Sequence, residues 1–140
     1  MKKLLIIAPH PDDETLGCGG ILHKFKDKKI YWMILTKMSD KIDYSSKQIA
    51  EREKEINKVP KFLNIKKIIK LGFSAATLNK SNLKELILKI SDEIKKIKPD
   101  TIFSPYLHDS HSDHFFCTYA LNHILKTFRY PFIKECYLYE

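Results

Sequence analysis

At 140 residues the chain is the size of one domain and long enough to bury a core without staples. Its 44% apolar content is ordinary for a globular protein and excludes a disordered or fibrous chain. The net charge of +8 invites an anionic partner, but only two of the 25 cationic residues, Arg52 and Arg129, are arginines, and the lysines are scattered rather than clustered. Nucleic-acid readers favour the planar arginine fork, so no nucleic-acid partner is expected.

The first segment, residues 3–8, is a short run of Leu and Ile that reads as a buried strand. Residues 14–27 follow with helical spacing through Leu16, Gly20, Leu22 and Phe25. Residues 29–36 read as a second buried strand. A long polar helix is expected over 44–63, with Ile49, Arg52, Ile56, Val59 and Phe62 on its stripe and Pro60 breaking or ending it early. Residues 66–71 form a third strand, ended by Gly72. A clean 3.6-residue stripe from Leu83 to Ile97 predicts a helix over 82–97, stopped by Pro99. A strand over 100–104, a loop over 105–111, a helix over 112–128 and a strand over 134–139 complete the chain.

Strands alternating with helices imply an α/β, Rossmann-like three-layer αβα domain with a mostly parallel sheet in the order 3-2-1-4-5. Ligands of such sheets bind at the carboxyl ends of the strands, which here are the loops after residues 8 and 104. Both loops are rich in metal-ligating residues. The first, Ala8-Pro9-His10-Pro11-Asp12-Asp13-Glu14, packs one imidazole and three carboxylates behind two stiffening prolines. It also makes a good helix start, acidic in its first turn, but a helix start has no use for His10. The second, Asp109-Ser110-His111-Ser112-Asp113-His114, sets two imidazoles three apart, with Asp109 and Asp113 available to fix a tautomer. If the first and fourth strands are neighbours, the loops face each other and offer a three-ligand open site.

Gly17-Cys18-Gly19-Gly20 is not a dinucleotide fingerprint, because the acidic loop intervenes after the strand; these glycines are expected to let the first helix lie close on the sheet. His23 and His123 fall within helices, and His108 borders the second loop. Cys18, Cys117 and Cys136 are odd in number and widely spaced, which implies neither a disulfide framework nor a Cys-type metal site. An apolar stretch of about five residues near the N-terminus is shorter than the ~7–15 of a secretory signal, and no segment approaches the ~18 of a membrane span. A cytoplasmic protein is expected, and a homo-oligomer is left open.

Together the two loops resemble the motifs of the PIG-L/LmbE-like N-acetyl sugar deacetylases. Ala8-Pro9-His10-Pro11-Asp12-Asp13-Glu14 is similar to the family's (A/S)-H-P-D-D-E, with one extra proline, and His111-Ser112-Asp113-His114 to its H-x-D-H. Thr15 to Gly20, Arg52-Glu53-Lys54-Glu55 and Leu71-Gly72-Phe73 continue the likeness across residues 3–140 as a single domain. The resemblance implies His10, Asp13 and His114 as zinc ligands, with iron(II) or another divalent ion also acceptable to the site. It implies Asp12 as general base, His111 as the imidazole that stabilises the oxyanion or protonates the leaving amine, Asp113 as the residue that orients and tunes His111, and Arg52 as a substrate ligand. The implied reaction removes acetyl from an N-acetylglucosamine-type small molecule or glycoconjugate and leaves a free amine. Ser74-Ala75-Ala76-Thr77 departs from the acidic Pro-Asp-Gly-like turn usual there. Members also typically continue past the point where Tyr137-Leu138-Tyr139-Glu140 falls. A truncated or compact form is therefore expected, and the alternative is a metal-binding but inactive domain.

Overall fold

A computed structural model describes residues 2–39, 44–126 and 128–140. Its elements run β1 (Lys3–Ala8), α1 (Asp13–Lys24), β2 (Lys29–Lys37), α2 (Ser46–Ile56), α3 (Val59–Leu63), β3 (Ile65–Ser74), α4 (Leu83–Ile97), β4 (Thr101–Pro105), α5 (Ser112–Ile124) and β5 (Glu135–Tyr139). The five strands form one sheet in the order β3-β2-β1-β4-β5, every neighbouring pair parallel. This is the expected topology.

β1 sits at the centre, and its alternate residues feed two cores. Leu5 and Ile7 face α4 and α5, packing with Leu86, Ile90, Ile94 and Leu121. Leu4, Ile6 and Ala8 face the other way, with Trp32, Ile34, Cys18 and Leu22. Both faces of β1 are therefore dry, which is why its sequence is an unbroken apolar run.

The expected break near Pro60 divides 44–63 into two helices. The ring of Pro60 obstructs the carbonyl four residues back, and α2 ends at that residue, Ile56; the proline then sits in the first turn of α3. Phe62, assigned to the apolar stripe, is 83% exposed. Gly72 does not end its strand. It takes φ of 80° inside β3, where the register with β2 shifts between Ile34 and Thr36, and the strand continues to Ser74. In α1 the inward residues are Glu14, Cys18 and Leu22, and Leu16 points out. Of its glycines only Gly17 is crowded: a Cβ there would meet the Tyr139 ring at 2.1 Å, while Gly20 has nothing within 4 Å. α5 stops at Ile124, short of 128, and residue 127 lies outside the described residues.

Candidate metal centre and reaction cleft

β1 and β4 are neighbours, so the loops that follow them meet at one end of the sheet. Three side-chain atoms converge there. His10 Nδ1 lies 3.4 Å from Asp13 Oδ2, His114 Nε2 lies 3.2 Å from the same oxygen, and the two nitrogens are 3.3 Å apart. Four-coordinate zinc with bonds of about 2.0–2.1 Å has tetrahedral edges of about 3.3–3.4 Å, so this triangle fits such an ion without rearrangement. His10, His111 and His114 also each offer a ligand atom within 4.8 Å of one another, a second trio able to hold a metal.

The ring orientations are set by carboxylates behind them. A carboxylate only accepts, so the imidazole N–H must be the donor. His10 Nε2 donates to Asp113 Oδ2 at 2.9 Å, which leaves Nδ1 for the centre. His114 Nδ1 donates to Asp109 Oδ2 at 2.8 Å, which leaves Nε2. Asp113, expected to orient and tune His111, turns its buried carboxylate to His10. What Asp113 gives His111 is its backbone N–H, donated to Nδ1 at 3.1 Å in the helix cap of α5. A ring nitrogen that accepts carries no proton, so the His111 proton sits on Nε2.

The Asp113 carboxylate has two further donors that the sequence did not announce. The backbone N–H groups of Ala76 and Leu78 reach its Oδ2 and Oδ1 at 2.7 and 2.9 Å. They come from the segment after β3 where Ser74-Ala75-Ala76-Thr77 departs from the expected acidic turn, and Ala76 is held at φ of 58°. Backbone donors leave no side-chain signature; the positive φ of an alanine was the one local oddity, and it is invisible in sequence.

Electrostatics follow from this packing. Burial pulls the His10 pKa down, but the Asp113 and Asp13 carboxylates overcome it and raise it to about 9. His114 is raised in the same way, Asp13 and Asp109 outweighing burial. Burial opposes ionisation of Asp13 and Asp113, and the imidazoles still hold both carboxyls below the usual range.

Asp12 stands apart from the triangle. Its side chain is half exposed and meets Arg52 Nη2 at 3.3 Å, while the other guanidinium nitrogen of Arg52 meets Glu55 at 3.4 Å. A cleft of about 300 Å³ is lined by His10, Asp12, Arg52, Tyr44, Ala76 and His111 among others. Of the predicted site residues, His10, Asp12, Arg52 and His111 line this cleft, and Asp13, Asp113 and His114 contact His10. His23 and His123 are exposed on helices, and the exposed His108 contacts the Tyr106 ring.

A profile of the PIG-L family, described as GlcNAc-PI de-N-acetylase, matches residues 5–125. The chain belongs to the PIG-L family. A PIG-L relative, the diacetylchitobiose deacetylase of Thermococcus kodakarensis, is 32% identical over 123 residues, which cover 81% of this chain and 45% of that protein. Among solved structures, a conserved protein of Thermus thermophilus superposes with a TM-score of 0.81 at 27% identity, covering 99% of this chain and 66% of that one. The N,N′-diacetylchitobiose deacetylase of Pyrococcus horikoshii gives 0.75 at 28% identity, with coverages of 88% and 49%. The PIG-L chain described here therefore spans about half to two-thirds of the length of these relatives. Among its described residues, no helix is long and apolar enough to cross a membrane.

Proposed function

We propose that the chain is a zinc-dependent N-deacetylase acting on an N-acetylglucosamine-type sugar or glycoconjugate. The observation that carries the reading is the triangle of His10 Nδ1, Asp13 Oδ2 and His114 Nε2, drawn from two loops 104 residues apart and matched to the edges of a small tetrahedral ion. Relatives named as deacetylases support the reaction class and the sugar. Two imidazoles and a carboxylate also suit iron(II), and metal analysis of the purified protein decides between the two.

His10, Asp13 and His114 would hold a divalent ion, which when bound would supply Lewis-acid polarisation of the acetyl carbonyl and a lowered pKa for water beside it. The residues of the chain do the rest. Asp12, in the same cleft, takes the proton of the water whose oxygen attacks the carbonyl carbon. His111 turns its Nε2–H toward the developing oxyanion, and the proton taken up by Asp12 passes to the nitrogen as the C–N bond breaks, so acetate and a free amine leave. Asp113 and Asp109 hold His10 and His114 in the tautomers that keep the metal-facing nitrogens bare. Arg52 forms the cationic edge of the cleft and binds the substrate.

The test is amine release from a panel of N-acetylglucosamine derivatives, with metal-loaded protein beside Asp12→Ala. Metal-dependent turnover that disappears in the variant is the expected result. One metal bound per chain without turnover on any derivative would favour a binding domain that lacks the chemistry, and no bound metal would sink the reading.

A further inference from the structure

A chamber of about 410 Å³ opens from one side of the reaction cleft, far more space than an acetyl group fills. The two spaces share Pro11, Thr36, Lys37, Met38 and Arg52. Beyond that shared wall the chamber is bounded by β2, α2 and β3. Ile34 and Ile56, 2% and 6% exposed, form its deepest surface, and the half-buried Ile49 and Met38 continue the apolar wall. Gly72 lines the β3 side, with nothing within 4 Å of where a Cβ would stand. The volume falls within the ~300–1,000 Å³ usual for small-molecule sites.

We propose that this chamber receives the tail of the acyl group, so that the enzyme also removes unbranched acyl groups longer than acetyl, such as butanoyl and hexanoyl. The wall chemistry selects an apolar tail. A polar ring placed there would turn hydroxyls toward Ile34, Ile49 and Ile56 and leave them without partners, which is costly once they have left water. The Thr36 hydroxyl is already donated to the Pro9 carbonyl at 2.8 Å. An anionic group gains little from the cations of the wall. Arg52 is paired with Asp12 and Glu55, Lys70 is paired with Glu53, and Lys37 is exposed. A methylene chain needs no partner and gains with each carbon that leaves water. The bond broken is the same amide C–N bond. The oxygen of water joins the acyl carbon, the nitrogen takes up the protons that water gives up, and a longer carboxylate leaves in place of acetate. The widened acyl range rests on the deacetylase reading, but occupancy of the chamber by an acyl tail does not.

Metal-loaded protein is assayed for amine release from glucosamine carrying an N-acetyl, N-butanoyl, N-hexanoyl or N-succinyl group. Binding of acetate and hexanoate to the same protein is measured in parallel by calorimetry. From acetyl to butanoyl, kcat/KM should rise about tenfold, the worth of two added methylenes, and hexanoate should bind more tightly than acetate. Ile49→Trp, which narrows the chamber, should lower kcat/KM for the hexanoyl substrate about tenfold more than for the acetyl one. Ile49→Ala should shift the preference toward the longer chain; far-UV circular dichroism establishes that both variants fold. A kcat/KM that falls steadily from acetyl to hexanoyl, an Ile49→Trp protein with the original chain-length profile, or a preference for succinyl over butanoyl would overturn the acyl chamber. Tighter binding of hexanoate than of acetate, abolished by Ile49→Trp and without hydrolysis of any of the amides, would overturn the deacetylase reading and leave the acyl chamber standing.

Discussion

His10 carries the heaviest load of any residue, because one face of its ring meets the Asp13 and His114 atoms and the other is fixed by Asp113. Its metal-free pKa of about 9 lies above the ordinary 6.5, so the sign of its pH dependence is settled. Its contribution to metal-free stability is complete below pH 6.5 and is lost as the pH rises toward about 9. A metal must displace that proton and the one favoured on His114. Affinity should therefore rise with pH across this window, with about one to two protons released near pH 7, which calorimetry in buffers of different ionisation heat will count. Asp113→Asn removes an acceptor from His10, Ala76 and Leu78 together, and should weaken metal binding about 10–100-fold in a competitive chelator assay. Asp12→Ala should behave in the opposite way. Its side chain is half exposed and outside the triangle, so metal affinity and melting temperature should hold while kcat falls about 10²–10⁴-fold.

At the scale of elements, α1 shows how a local preference is reversed by a distant contact. Glycine to alanine inside a helix normally stabilises by about 1 kcal/mol. Gly20→Ala, facing open space, should follow that rule. Gly17→Ala should instead destabilise by about 1–3 kcal/mol, because the new methyl meets the Tyr139 ring of β5; urea unfolding of the two variants should give opposite signs. The same helix shows what the sequence hid. The pattern in α1 suggested Leu16 as an inward residue, yet Leu16 is 81% exposed and Glu14, a charged residue that no apolar periodicity marks, is buried. The strands, the parallel order and the two acidic-imidazole loops were legible because buried apolar runs and clustered ligands leave plain marks. The partner of Asp113 was not legible, because it depends on which of two imidazoles the β4–α5 turn brings near. Nor was the bulge at Gly72, where the register with β2 decides whether a glycine ends a strand or bends it.

For the whole molecule, the central position of β1 sets the site at the carboxyl end of the sheet, where its neighbours β2 and β4 bring Thr36 and the β4–α5 loop to the first loop: the Thr36 hydroxyl donates to the Pro9 carbonyl at 2.8 Å. The charge of +8 is spread over this frame, and several lysines are tied up, Lys70 with Glu53 and Lys89 with Glu85. Retention on heparin should accordingly be weak and vanish below about 200 mM salt, which a gradient elution will read.

The far end of the chain reaches the same loop by another route. The Tyr139 hydroxyl donates to the Ile7 carbonyl at 2.8 Å, two residues before Pro9 and 132 positions away in sequence. During synthesis the chain emerges from its N-terminus, so β1 is made first and waits for everything that holds it. His10 and Asp13 exist early, but their third partner arrives only with α5, and the tyrosine that pins the strand beneath them arrives later still. On the proposed ligand set, a half-made chain would own two ligands and no site, and loading would follow folding.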